Sequence, residues 1–402
     1  MEPHCDLPPA REENLLPQIR QLIASSGRCV VVLDDDPTGT QTVYQTPVLT
    51  TWDVKTLVEQ LGRDDSMFYI LTNSRALPEA SAVELARLVG QNLKEASEKT
   101  GRELTVISRS DSTLRGHYPA EVDAVANSLD RGDSIHVIMP FFLQGGRLTI
   151  GDTHYVADGD QLVPAGETPF AQDATFGFCN SDLRDWVQEK RGHAIDPDLL
   201  FSVSIRDLRC GDLDELASRL AHLAPGSVVI VNAVAISDAQ VFAFAARKAE
   251  LRGANLIYRT AASFVQAYAG LGERPLLESD EMVAPEHRAG LIVVGSYVPK
   301  TTNQLNHLLA MNNPPAAVTL KVETLLGNGR DAHVAATVDK VDALLKSGRD
   351  VVVHTSRDLV TGNDGESSLR IGTSVSEAVV DVVRGVKNPL RFLIAKGGIT
   401  SS

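Results

Sequence analysis

Short runs of branched apolar residues alternate along the chain with longer segments whose apolar positions recur at helical spacing. The runs predict buried β-strands at residues 29–33, 67–71, 104–107, 135–139 and 228–231. The segments between them predict helices at residues 79–99, 120–129, 212–222 and 239–252. Strands that alternate with helices form a mainly parallel sheet with helices on both faces.

A second alternating set begins after the polar segment 278–288. It predicts strands at 291–294, 317–320, 351–354 and 392–395, and helices at 301–311, 331–346 and 373–386. Residues 145–200, rich in Gly, Asp and Thr, predict loops and short strands that cover a site. We therefore expect an α/β protein of two domains with mainly parallel, helix-flanked sheets and a cleft between them. The expected parts are a lead-in helix at 1–27, a first domain at 28–275, a linker at 276–288 and a second domain at 289–402.

The composition narrows the class of protein. A chain of 402 residues exceeds one comfortable core, which agrees with two domains. The net charge of -14 repels nucleic acid and anionic membranes, and no apolar stretch approaches the roughly 20 residues that span a bilayer. The four cysteines lack CxxC spacing and suit a reducing cytoplasm. We expect a cytoplasmic protein that binds small molecules, and the sequence leaves homo-oligomerisation open.

Three carboxylates follow the first predicted strand. Residues 34–39 read Asp-Asp-Asp-Pro-Thr-Gly and lie at the carboxyl end of a strand, where open α/β sheets hold their ligands. Crowding like charges costs free energy unless a metal ion, a cationic side chain or a proton relay uses them. The alternative is a solvated loop with one aspartate capping the next helix. We favour a ligand site, because such clusters beside a buried strand are uncommon elsewhere.

A second polar segment follows the third predicted strand. Residues 108–117 read Ser-Arg-Ser-Asp-Ser-Thr-Leu-Arg-Gly-His. Arginine forks bind carboxylates, while Asp, Ser and Thr side chains bind sugar hydroxyls. The mixture predicts a substrate that is both acidic and polyhydroxylated, and Arg147 adds a third arginine. The alternative is a salt-bridged loop before the helix at 120–129.

The second domain has two turns of small residues, each directly after a strand. One is Gly295-Ser296, before a helix, and the other is residues 396–402, Lys-Gly-Gly-Ile-Thr-Ser-Ser. Backbone N–H groups in such turns bind phosphate, and paired glycines let it approach closely. Together they predict a nucleotide site, flanked by residues 354–358, although each turn alone is common. Because a phosphate loop usually continues into a helix, we expect the C-terminus to be truncated.

The first motif also permits a phosphatase. Asp34, Asp36 and Thr38 match the DxDxT pattern of haloacid-dehalogenase phosphatases, in which the first Asp is the nucleophile and Mg²⁺ assists. That family needs a Lys and an acidic pair at later strand ends, whereas the next strand end here carries Thr72, Asn73, Ser74 and Arg75. We therefore place this hypothesis second. A third hypothesis is a non-catalytic protein that binds an acid sugar in the same pocket.

The preferred interpretation uses both domains. The first domain presents carboxylates and arginines to an acidic polyol, and the second presents two phosphate-binding turns to a nucleotide. Positioning and charge stabilisation supply most of the rate in phosphoryl transfer, which this arrangement favours. A base is needed near the substrate hydroxyl, and Asp36 or Asp35 is best placed for that role.

The motifs resemble the four-carbon acid sugar kinase family. The DD-x-TG turn of that family matches residues 35–39, and its DST-x-RG motif matches residues 111–116, with Glu121 as the downstream acid. Its Pro-rich segment ending in Gly-Arg is similar to residues 140–147. In the second domain, its GS turn resembles Gly295-Ser296 and its GG-x-TS loop resembles residues 397–401.

The resemblance implies ATP-dependent phosphorylation of a threonate, an erythronate or a 3-oxo-tetronate, with ATP and Mg²⁺ as cofactors. The first domain would bind the acid sugar and the second the ATP; no metal-binding residue is assigned. The implied site residues are Asp36 and Asp35 for catalysis, Thr38, Gly39, Arg109, Asp111, Ser112, Thr113, Arg115 and Arg147 for the sugar, and Ser296, Gly397, Gly398, Ile399 and Thr400 for the nucleotide. Arg109 stands where many members have Lys, a difference that would retune substrate choice.

Overall fold

The first strand is buried on both faces, which is the reason for its uninterrupted apolar sequence. In the computed structural model, β1 (Cys29–Asp34) pairs in parallel with β3 (Met67–Leu71) on one side and with β4 (Leu104–Arg109) on the other. Parallel sheets are covered by helices on both faces, so their strands lack polar alternation. The structure describes residues 7–278, 281, 289–358, 360, 362 and 364–397.

The chain divides into two compact units, Met1–Glu273 and Arg274–Ser402. The other strands of the first unit are β2 (Val48–Leu49), β5 (Ile135–Met139), β6 (Arg147–Ile150), β7 (Thr153–Asp158), β8 (Gln161–Pro164), β9 (Leu200–Val203), β10 (Val228–Val231) and β11 (Leu256–Thr260). Its helices are α1 (Leu16–Ser26), α2 (Val54–Leu61), α3 (Glu79–Thr100), α4 (Ala120–Ser128), α5 (Leu183–Arg191), α6 (Ile205–Cys210), α7 (Leu213–Ala221), α8 (Ile236–Leu251) and α9 (Ala262–Tyr268). Residues 7–15 of the expected lead-in helix are not helical, and the helix begins at Leu16.

The large sheet of this unit has the strand order β2-β3-β1-β4-β11-β5-β10-β9, and its paired strands are parallel. One core packs α1, α7, α8 and α9 against one face of the sheet, and a second core packs α2, α3, α4 and α5 against the other. The prediction of a parallel sheet with helices on both faces is confirmed for this unit.

The sequence analysis did not predict β11, which lies at the centre of the sheet between β4 and β5. It also described residues 145–200 as loops and short strands. The structure shows an antiparallel sheet of β6, β7 and β8 there, as expected, but also the helix α5. The apolar residues Leu183, Trp186 and Val187 bury one side of α5 against the core, so this segment contributes to folding as well as to the site.

The second unit is a smaller parallel sheet with the order β13-β14-β12-β15. Its elements are β12 (Leu291–Val294), α10 (Pro299–Leu309), β13 (Ala316–Leu320), α11 (Val322–Leu325), α12 (Arg330–Lys346), β14 (Val351–Thr355), α13 (Gly365–Gly385) and β15 (Leu393–Lys396). The bounds of the linker expected at 276–288 stay a prediction, because 279–280 and 282–288 lie outside the described residues. Within the described part of the chain, no helix is long and apolar enough to cross a membrane.

Candidate functional site

The polar residues of the first unit meet because three strands end side by side. In the register of the sheet, Asp34 at the end of β1 pairs with Leu71 of β3 and with Arg109 of β4. The segments that leave these strands therefore emerge at one edge, as expected for parallel strands. This edge brings together the two motifs singled out in the sequence, residues 34–39 and 108–117.

Arg75 lies at the centre of the carboxylates. It belongs to the short turn after β3 and forms ion pairs of 2.6 Å with Asp35, 3.2 Å with Asp36 and 3.5 Å with Asp111. One guanidinium thus bridges aspartates from both motifs. The sequence analysis noted Arg75 at a strand end but gave it no role; a cation directly after a strand of the same predicted sheet was the available signal.

Asp34 faces inward and is only 2% exposed. Its Oδ1 lies 3.1 Å from Arg109 Nη1, and burial nevertheless raises the pKa of the Asp34 carboxyl to about 7. Gly39 packs directly against this carboxylate. Asp34 is therefore enclosed by the protein.

Asp36 and Asp111 are both held in the ionised form. Asp36 Oδ1 accepts hydrogen bonds from the backbone N–H and the hydroxyl of Thr38, and its pKa is lowered by Arg75 and Thr38 against the effect of burial. Asp111 accepts from the Thr113 hydroxyl and, at 2.9 Å, from Arg115 Nε. Arg115 and Arg75 hold the pKa of Asp111 well below its usual range, against the opposite effect of its partial burial. The pattern of Asp followed two residues later by Thr thus repeats in the two motifs.

Two arginines face one aromatic ring. The guanidinium carbons of Arg115 and Arg147 lie 5.1 Å and 5.7 Å from the centroid of Phe170. Arg115 is paired with Asp111 and, at 3.6 Å, with Asp173. Arg147 forms no ion pair with any residue that the structure describes, and its buried Nε has no hydrogen-bond partner. A cation beside another cation and with no ion-pair partner among the described residues is a ready receptor for an anion.

A buried arginine supports the second motif from behind. Arg259 of β11 is 1% exposed and donates a 2.9 Å hydrogen bond from Nη2 to the backbone oxygen of Arg115. The hydroxyl of Ser110 donates to Asp35 Oδ2 over 2.7 Å, which joins the two motifs. Gly116 closes this loop at a φ of 116°, where a Cβ would lie 2.7 Å from Ser110 Oγ. Arg259 was missed because β11 itself was not predicted.

The loop is also supported by a neutral histidine. His154 Nε2 donates to the backbone oxygen of Ser112 over 2.8 Å, and its Nδ1 accepts from Thr149 over 2.9 Å. Burial lowers the pKa of His154 to about 4, so the ring carries no charge near neutrality. The structure therefore brings together all the first-domain candidates: Asp35, Asp36, Thr38, Gly39, Arg109, Asp111, Ser112, Thr113, Arg115 and Arg147. Their roles stay predictions.

In the second unit, the two small-residue turns follow neighbouring strands. β12 pairs with β15 so that Val294 lies opposite Lys396, which puts Ser296 and Gly397 just beyond the same edge of the sheet. The hydroxyl of Thr301 donates to Ser296 Oγ over 3.3 Å, and Gly397 has a φ of 124°. The other predicted nucleotide contacts, Gly398, Ile399 and Thr400, lie outside the described residues.

The carboxylates of the first unit do not fit a resident divalent cation. Asp34, Asp35, Asp36 and Asp111 each have a guanidinium within 4 Å, and Mg²⁺ would have to displace these arginines. Among the described residues, no group of three or more His, Cys, Asp or Glu side chains has the arrangement of a metal site.

Comparison with known families accounts for both units. A family model described as the sugar-binding N-terminal domain matches residues 30–268, more than half of the chain, and one described as the nucleotide-binding C-terminal domain matches residues 291–402. The chain belongs to the four-carbon acid sugar kinase family. The predicted family is thereby confirmed, and with it a sugar-binding and a nucleotide-binding domain in this order.

Two solved structures share the fold of this family member, and a third matches it with a lower score. A protein of Salmonella typhimurium LT2 is 17% identical, with a TM-score of 0.58 over 92% of this chain and 86% of the other. A Haemophilus influenzae protein from a family of unknown function is 18% identical, with a TM-score of 0.52 over the same shares. A Bordetella bronchiseptica protein with such a domain, a citrate-bound, domain-swapped dimer, is 21% identical with a TM-score of 0.46 over 92% and 84%. No curated protein matches the chain.

Proposed function

We propose that this protein is an ATP-dependent kinase that phosphorylates a four-carbon acid sugar of the threonate, erythronate or 3-oxo-tetronate class. The sugar-binding and nucleotide-binding domains support a reaction between these two ligands. The observation that carries the proposal is Arg147, to which the described part of the chain gives no ion-pair partner. It lies beside a cluster of aspartates and hydroxyls suited to a polyol, so the site offers one receptor for an acid and several for hydroxyl groups.

The other cations near this site already have acidic partners. Arg75 and Arg109 pair with the aspartates of the first motif, and Arg115 pairs with Asp111. A substrate carboxylate gains most from Arg147, because binding there removes an unbalanced positive charge instead of competing with an existing ion pair. Phe170, which both Arg115 and Arg147 face, gives the carbon chain of the substrate an apolar surface.

Asp36 is the proposed base. It is 9% exposed, against 4% for Asp35, and its lowered pKa keeps the carboxylate in the ionised form, which alone can take a proton, while making it a weaker base than an unperturbed aspartate. Thr38 donates two hydrogen bonds to Oδ1, and Arg75 forms an ion pair with Oδ2. One lone pair of Oδ2 therefore remains for the substrate hydroxyl. As the hydroxyl oxygen attacks the γ-phosphorus, its proton passes to Asp36 and the bond from phosphorus to the ADP oxygen breaks.

The nucleotide enters as its magnesium complex. We assign it to the turns at Ser296 and Gly397, whose backbone N–H groups suit phosphate. Mg²⁺ is then part of the co-substrate and is held mainly by the nucleotide phosphates, as is common for this ion.

The phosphatase hypothesis fits this geometry less well. Its nucleophile would be Asp34, whose carboxylate faces Arg109 and is closed off by Gly39. A nucleophilic oxygen needs an open line of approach to phosphorus, and Asp34 has none.

The test is turnover by the purified chain. We expect ATP consumption that depends on Mg²⁺ and on one member of a panel of threonates, erythronates and their 3-oxo forms. Arg147→Gln should raise KM for that acid about 10-fold or more, with a smaller change in kcat, because a ground-state carboxylate contact is lost. The exposed Arg63→Gln is the matched control. Absence of turnover with the whole panel would contradict the proposed function. An unchanged KM in Arg147→Gln would contradict the proposed contact between Arg147 and the substrate carboxylate.

A further inference from the structure

Arg357 of the second unit has an unusual set of partners. It follows β14, and its guanidinium donates from Nη1 to the backbone oxygen of Ser296 over 2.8 Å, from Nη2 to Thr355 Oγ1 over 2.9 Å, and from Nε to the Thr355 backbone oxygen over 3.2 Å. Thr355 Oγ1 in turn donates to the backbone oxygen of Gly295 over 3.2 Å. Arg357 thus links the end of β14 to the turn that follows β12.

Every one of these acceptors is neutral. A guanidinium has five N–H groups, and these three bonds use one on each nitrogen. One N–H therefore remains on each of Nη1 and Nη2. Each of them can donate to a carboxylate or phosphate oxygen.

The charge of Arg357 is also unbalanced. No Asp or Glu that the structure describes forms an ion pair with it, and its side chain is partly exposed. Burial lowers the pKa of Arg357, but arginine stays protonated in proteins. No described acid neutralises this cation, so its remaining N–H groups can donate to an anionic ligand.

The position of Arg357 identifies that ligand. It contacts Ser296, whose turn follows β12, and β12 lies between β14 and β15 in the sheet. The family match assigns this unit to nucleotide binding. We propose that Arg357 binds the phosphate groups of the nucleotide through its two remaining N–H groups, while its bond to Ser296 holds the neighbouring turn in place. This inference rests on the proposed nucleotide co-substrate.

A purely structural role predicts a different result. If Arg357 only tied the Ser296 turn to β14, a neutral side chain that can still donate a hydrogen bond, as in Arg357→Gln, would keep ADP and ATP affinity near that of the unchanged chain. A phosphate contact instead needs the positive charge, so Arg357→Gln would lose affinity for ADP and ATP while Arg357→Lys keeps part of it. Adenosine, which has no phosphate, reports whether the rest of the site stays intact. Comparison of the Gln and Lys variants with the three ligands therefore separates the two roles.

The experiment measures dissociation constants of adenosine, ADP and ATP for the full chain by calorimetry, with weak binding measured by competition. Arg357→Met should weaken ADP and ATP about 10- to 100-fold and leave adenosine within about 2-fold. Arg357→Lys should recover part of the loss, because a point charge replaces the fork. Arg349→Met, at an exposed arginine before β14, is the control and should bind all three ligands like the unchanged chain.

Three outcomes would overturn the inference. Unchanged ADP and ATP affinity in Arg357→Met removes the contact, and ADP and ATP affinity near that of the unchanged chain in Arg357→Gln leaves only the structural role. Failure of the unchanged chain to bind ADP or ATP at all removes the proposed function together with this inference. Should Arg357→Met unfold, the Gln and Lys variants decide, since a phosphate contact predicts weaker ADP binding in Arg357→Gln than in Arg357→Lys and a tether alone predicts no such difference.

Discussion

The carboxylate of Asp34 occupies the space in which a side chain at Gly39 would begin. A Cβ atom built on Gly39 would lie 2.0 Å from Asp34 Oδ2 and 2.2 Å from Oδ1. The first motif therefore folds back on its own strand end, and glycine is required by this approach and not by a positive φ. The contact explains why the turn that presents Asp35 and Asp36 ends in glycine.

Gly39→Ala should destabilise the first unit by about 1–3 kcal/mol, because the new methyl group overlaps a buried carboxylate. Both tryptophans of the chain, Trp52 and Trp186, lie in this unit, so denaturant unfolding followed by tryptophan fluorescence reports on it. Gly272→Ala is the matched control, since a Cβ there would meet only Leu16 at 3.9 Å. Equal unfolding midpoints for the two variants would show that the turn relaxes without cost.

Arg75→Met should destabilise the same unit by about 3–5 kcal/mol, because it leaves three carboxylates without their shared cation. The loss of stability in Arg75→Lys should be smaller than in Arg75→Met, since an ammonium group keeps one contact with Asp35 in place of the bidentate pair. Tryptophan fluorescence again measures unfolding, with the exposed Arg87→Met as control. A loss under 1 kcal/mol in the Met variant would mean that the aspartates take up protons or water at little cost.

Asp36→Asn should lower kcat by a factor of about 10² to 10⁴ if Asp36 is the base, because the amide cannot take the hydroxyl proton. Affinity for the nucleotide should not change, since Asp36 belongs to the sugar-binding domain. Steady-state kinetics with the acid sugar found in the panel measures both, and the exposed Asp64→Asn serves as control. Retention of kcat would transfer the role to Asp35.

The pH dependence of stability should report the titration of the Asp34 carboxyl. Its folded-state pKa of about 7 lies above the unfolded value of about 3.9, so the native state binds the proton more tightly. The resulting stabilisation is fully present below about pH 4 and is lost as pH rises through about 7. Asp36 and Asp111, whose pKa values are lowered, act oppositely and lose their stabilisation in acid.

Between pH 5 and 8, the denaturant midpoint of unfolding should therefore fall less for Asp34→Asn than for the unchanged chain. Some decline should remain, because burial also raises the pKa of Glu121, to about 8. Tryptophan fluorescence at several pH values measures the slope, and Asp64→Asn should keep the original one. Identical slopes for Asp34→Asn and the unchanged chain would mean that the Arg109 ion pair keeps Asp34 ionised throughout.

Local sequence patterns predicted much of the architecture. The bounds of β3, β5, β10 and β12 match the apolar runs residue for residue, because a strand buried on both faces needs consecutive apolar side chains. Both polar motifs were found for a related reason. Charged residues directly after a buried strand are conspicuous, and the parallel topology then brings strand ends together.

The partners of those motifs were decided only by the tertiary structure. Arg75 is 40 residues from Asp35, and Arg259 is 144 residues from the carbonyl of Arg115 that it supports. β11 reaches the centre of the sheet far from β4 in sequence, so no local pattern identifies its neighbour. Sequence alone established which residues carry charge and where strands end. Which arginine lacks an acid depends on distances between strands, and only the folded chain sets those distances.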